Sequence, residues 1–114
     1  MKTHIFALSG IVPPHVFKQN EIAQKFRDIF SIEEEKKEFI NRIYLNSSIT
    51  NRYSVVNDFH KSRDEWSFWG SEYPKTIPGM GARNQRYKKE APLLAEKAAR
   101  QVLERWGGNA SQIT

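Results

Sequence analysis

ARNQRYKKEAPLLAEKAARQVLERWGGNASQIT, from Ala82 to Thr114, is the stretch that decides how the fold is read. Leu94, Ala98, Val102 and Trp106 recur at four-residue spacing, with Ala95, Ala99 and Leu103 beside them, so one face of a helix is apolar. Glu96, Lys97, Arg100, Glu104 and Arg105 take the other face, where Glu96/Arg100 and Arg100/Glu104 are i,i+4 pairs. The pattern predicts a helix over 82–106. Gly107 and Gly108 end it, because glycine adopts a left-handed cap at least cost. Pro92 falls inside the pattern, which predicts either a kink or a fresh helix start with Pro92 at the first position.

Working towards the N-terminus, residues 57–81 form a long connection closed by Pro74, Pro78, Gly79 and Gly81. It carries Phe59, Trp66, Phe68, Trp69 and Tyr73, and disordered segments are poor in aromatics, so an ordered loop is expected. Such a loop is either pinned to the surface by its rings, or it forms a wall of a substrate tunnel or a dimer contact. Residues 49–56 are β-branched and aromatic enough for a strand. Ser31 followed by Glu34 reads as a capping box opening a helix over 32–46. Asn20 reads as the cap of a helix over 20–30 with Ile22, Phe26, Ile29 and Phe30 on one face. Residues 3–11 read as a short apolar strand, stopped by Gly10 and by Pro13-Pro14.

Three blocks in this order carry a resemblance: HIFALSGIVPPH (His4 to His15), FINRIYLNSSITNRYSVV (Phe39 to Val56), and the alanine-rich helix running into Trp106-Gly107 and ending in Ile113-Thr114. Together they resemble the N-terminal part of type III polyketide synthases, the chalcone and stilbene synthase family. The resemblance implies an α/β chain, mostly helical as cut, forming one incomplete domain over 1–114 of a thiolase-like fold. The first strand would pair within a central sheet, with the last helix packed on it. It further implies that the whole enzyme condenses an acyl-CoA starter with malonyl-CoA in the cytoplasm as a homodimer. In the family a cysteine, a histidine and an asparagine lying beyond this segment do the chemistry. This chain contains no cysteine, so it is expected to be inactive alone and to hold no catalytic residue. The alternatives are a ketoacyl-synthase-like relative and a non-enzymatic dimerisation or ligand-binding module.

One binding residue transfers by resemblance. Aligning Arg52-Tyr53 with the family's Arg-Tyr pair places Arg42 on the middle one of three basic positions that contact the phosphates of coenzyme A. A guanidinium suits that role through its planar, permanently charged fork. The outer positions hold Phe39 and Asn46, so the basic triad is not kept, though Lys36 and Lys37 lie one turn earlier. The other reading of Arg42 is an exposed helix arginine.

Composition excludes several classes. Eighteen basic and 13 acidic residues leave a net charge of +5. The densest basic cluster, Arg83, Arg86, Lys88 and Lys89 around Tyr87, reads as a solvated helix start rather than a nucleic-acid surface. No run approaches the roughly 20 apolar residues of a membrane span, and the apolar start is too short for a signal peptide. The histidines, His4, His15 and His60, share no metal-ligand spacing, so no metal and no resident cofactor are expected. Glu33, Glu34, Glu35 and Glu38 suit the positive end of a helix without any catalytic role. No nucleophile elbow or phosphate-cradling glycine loop is present.

Overall fold

A computed structural model describes residues 4–113. Two strands and three α-helices follow in the order β1 (His15–Lys18), α1 (Gln19–Phe30), α2 (Glu34–Asn46), β2 (Asn51–Ser54) and α3 (Met80–Trp106). Mixed helices with a small sheet are compatible with an α/β class. The chain divides into two compact units, Pro13–Ala82 and, separately, residues 4–12 with 83–113. No helix among the described residues is long and apolar enough to cross a membrane.

In the unit Pro13–Ala82, β1 and β2 pair antiparallel, with His15 opposite Ser54 and Lys18 opposite Asn51. At four residues, β1 is too short for its alternation to be read, and no strand was expected there. The strand expected over 49–56 contracts to Asn51–Ser54. Ser48 takes a left-handed φ of 56°, which breaks the extended run before β2, while Gln19 N–H donates to Thr50 O at 2.9 Å just beyond the Lys18–Asn51 pair. The capping expectations shift too. Ser31 is the left-handed C-cap of α1, at φ 46°, and α2 starts after Glu33 with no side-chain cap. Lys18 rather than Asn20 precedes the first turn of α1.

Phe17, Ala23, Val56 and Trp66 form the buried apolar centre of this unit, joined by two polar residues, Gln19 and Asp58. The loop after β2 is ordered, as its aromatics implied, and two single 3-10 turns break it at Asp58–His60 and Arg63–Glu65. Rings run through it in sequence. Phe17 meets Phe59 at 6.0 Å, Phe59 meets Trp66 at 5.2 Å, and Tyr73 meets Trp69 at 5.1 Å and Phe30 at 5.9 Å. Edge-to-face and tilted contacts at these separations add to the stabilisation from the area they bury.

In the other unit, α3 runs as one helix through Pro92, so no new helix starts there. Pro92 has no N–H to offer the Lys88 carbonyl, but the lysines, glutamate, alanines and leucines around it favour helix strongly enough to bridge that gap. Leu94, Ala98, Val102 and Trp106 form a half-buried stripe, as their spacing predicts. Gly107, at φ +72°, closes the helix with its N–H on Leu103 O at 2.9 Å. Gly108 is required for a different reason, since a Cβ there would lie 2.5 Å from the Trp106 ring.

The strand expected over 3–11 is corrected. Thr3 lies outside the described residues, and residues 4–11 form no strand. A strand needs a neighbour to complete its ladder, and this segment meets a helix instead. Leu8 O accepts from Arg105 Nη1 at 2.7 Å, and the Ser9 hydroxyl donates to Gln101 Oε1. Ile5, Phe6 and Leu8 remain largely exposed.

Candidate functional site

Arg42 lies on α2, exposed to solvent, and makes no ion pair or side-chain hydrogen bond among the described residues. Phe39 and Asn46, one turn to either side, are exposed as well, Phe39 at 61%. The lysines one turn earlier are engaged locally: Lys36 pairs with Glu33 at 3.1 Å and Lys37 with Glu34 at 2.8 Å. Both pairs are solvated and contribute little to stability. The face around Arg42 is therefore open, and its guanidinium is uncommitted among the described residues.

Besides the contact of Tyr44 with the Phe26 ring at 6.5 Å, what holds α2 is polar. None of its residues is buried. Gln19, only 7% exposed, opens α1 directly after β1. Its Nε2 donates to Ser47 Oγ at 2.9 Å and to Tyr44 O at 3.4 Å, and its Oε1 accepts from Arg52 Nε at 2.5 Å. The Ser47 hydroxyl donates to Tyr44 O at 2.7 Å, which leaves its lone pairs free for Gln19. The Arg52 guanidinium lies 5.6 Å from the centre of the Tyr44 ring, within cation–π range. Further along, an Arg27 N–H donates to Asn41 Oδ1. Between α1 and α2 a cleft of about 520 Å³ is lined by Gln19, Ala23, Arg27, Asn41, Tyr44 and Ile49 among others. Arg42 does not line it.

A second polar centre organises the aromatic loop. Asp58, 1% exposed, accepts four hydrogen bonds. Its Oδ2 takes Phe68 N–H at 2.8 Å and Trp69 N–H at 2.7 Å; Oδ1 takes Ser67 N–H at 3.2 Å and Ser67 Oγ at 3.3 Å. Burial pushes the carboxyl up, but the three backbone N–H groups and the Ser67 hydroxyl outweigh it and hold the group below its ordinary value of 3.8. Arg63 ties the far side of the loop, its Nε on Ser71 O at 2.9 Å and its Nη2 on Tyr73 O. Together these bonds tie residues 67–73 back onto the two 3-10 turns.

The histidines form no ligand set. His15 and His60 approach to 6.4 Å between ring centres, and His60 stacks on Phe17 at 4.1 Å. Among the described residues, no three His, Asp or Glu side chains converge as a metal site would require. Sequence reasoning singled out Arg42 but missed Gln19 and Asp58. The only sequence signal for either was a lone polar residue beside an apolar one, too common to mark a buried network.

Over 103 residues, 90% of the chain, the sequence is 30% identical to "Probable polyketide synthase 1" of Dictyostelium discoideum. The chain is thus related to a polyketide synthase, and spans about 3% of the length of that curated relative. No family profile matches the chain, and no solved structure matches it.

Proposed function

We propose that the chain is the N-terminal part of a type III polyketide synthase of the chalcone and stilbene synthase kind, with a thiolase-like fold in the whole enzyme. The whole enzyme takes an acyl group from coenzyme A, extends it by decarboxylative condensation with malonyl-CoA, and works as a homodimer in the cytoplasm. The observation that carries this reading is the relation to a polyketide synthase along 90% of the chain. The order of the three sequence blocks supports it and favours the type III branch. With no cysteine, the chain offers no thiolate for acyl loading and turns nothing over by itself. Its contribution is to binding, through Arg42 on the coenzyme A phosphates.

Titration of coenzyme A into the chain, followed by NMR, tests the reading. Shifts should centre on the Arg42 guanidinium. Arg42→Ala should weaken binding by about 1.5–3 kcal/mol, as for a hydrogen bond to a charged group. Arg42→Lys should recover part of that loss, since an ammonium lacks the bidentate fork. No shifts at Arg42, or an unchanged affinity in Arg42→Ala, would refute its assigned role.

A further inference from the structure

We propose that Gln19 is a positioning residue for the ligand-facing side of α2: a buried amide latch that fixes the helix carrying Arg42. The inference rests on the coenzyme A reading above. It starts from an imbalance in how α2 is held. With no fully buried side chain of its own, α2 has only half-buried Ile40 and Tyr44, the latter 6.5 Å from the Phe26 ring, as apolar anchors. Its orientation then depends in good part on a few directed bonds. Two of them converge on its C-terminal end, and both come from Gln19.

The latch joins three elements at one point. The Gln19 main-chain N–H is bonded to Thr50 O at 2.9 Å, which fixes the residue at the sheet end. Its side-chain amide donates to Ser47 Oγ and Tyr44 O at the end of α2, and accepts from Arg52 of β2. Arg52 stands opposite Phe17 in the strand register, and Phe17 is buried. Arg52 itself is exposed, so the latch runs from the buried Gln19 out to the surface of the sheet. The bond from Arg52 is charge-assisted, and it polarises the amide so that its N–H groups donate more strongly to α2. The second tether of α2, Arg27 to Asn41, lies one residue before Arg42. With both in place the helix is held at two points that bracket Arg42; without Gln19 it can pivot about the first.

No other common side chain reproduces the latch. Glutamate keeps the acceptor for Arg52 but loses both donors to α2; asparagine is one methylene too short to reach. The test measures hydrogen exchange of the amides of residues 44–47 alongside coenzyme A titration, in the native chain and in Gln19→Ala, Gln19→Glu, Ser47→Ala and Arg42→Ala. Gln19→Ala is expected to speed exchange at 44–47 and weaken coenzyme A binding about five- to tenfold, the equivalent of one lost hydrogen bond. Gln19→Glu, which leaves the Arg52 side intact, should do the same and guards against general unfolding. Gln19→Ala with Ser47→Ala should cost less than the sum of the two. Unchanged exchange at 44–47 would overturn the latch, and faster exchange with full coenzyme A affinity would overturn its positioning role. If Arg42→Ala leaves binding unchanged while Gln19→Ala loosens residues 44–47, the coenzyme A reading fails and the latch stands as a purely structural device.

Discussion

Replacing Asp58 removes one carboxylate and four hydrogen bonds, and the cost can be worked out from their geometry. The two short bonds, from Phe68 and Trp69 N–H at 2.8 and 2.7 Å, go to a charged acceptor, for which about 1.5–3 kcal/mol each is typical. The two from Ser67, at 3.2 and 3.3 Å, are longer, and Ser67 is exposed, so water replaces much of what they lose. Taking the low end for the short pair and little for the rest gives about 3–4 kcal/mol for Asp58→Ala. A domain's whole stability is about 0.05–0.15 kcal/mol per residue, so this approaches the margin of the unit Pro13–Ala82. Asp58→Asn should be little better, because one of its two oxygens becomes an N–H donor facing other donors. Urea unfolding followed by tryptophan fluorescence reads the effect directly, since Trp66 and Trp69 sit in the affected loop. The same carboxylate sets a pH dependence. Its folded value lies below the ordinary 3.8, so its stabilisation is complete above that value and is lost as pH falls through the folded one. Native protein should destabilise in acid over that window, and Asp58→Asn should flatten that slope. A stability for Asp58→Ala within about 0.5 kcal/mol of native, the usual range of a neutral surface change, would refute the pinning role.

Two further outcomes follow from the other unit. Gly108→Ala places a methyl 2.5 Å from the Trp106 ring, so the ring must move; near-ultraviolet circular dichroism should lose intensity and stability should fall by about 1–3 kcal/mol, as overpacking costs. An unchanged spectrum would show that the ring does not lie over Gly108 in solution. Ile5, Phe6 and Leu8 are 86%, 78% and 79% exposed, an apolar run of the kind that marks contact surfaces. Sedimentation at micromolar concentration should find a dimer or larger assembly, reduced by Phe6→Ser with Leu8→Ser, whereas a monomer would mean that the run needs no cover.

Periodicity determined the helices. The stripe from Leu94 to Trp106, the helices expected over 20–30 and 32–46, and the stop at Gly107 were legible because side-chain spacing along a helix is local, and each element reports on itself. The ring-rich loop was legible as ordered for the same reason: its composition alone argued against disorder. Arg42 came only from the resemblance, through its spacing from Arg52-Tyr53, and it lies exposed on α2. Tertiary structure decided the rest. Whether residues 4–11 form a strand depends on a partner, and hydrogen-bond ladders are made between segments, so the apolar run lies against α3 unpaired. β1 exists only because β2 lies opposite it. Gln19 and Asp58 are ordinary polar residues in the sequence, and nothing local distinguishes them from solvated ones. They became central when folding brought donors and acceptors from distant segments around them and excluded water, which turned each hydrogen bond from an exchange with solvent into a requirement.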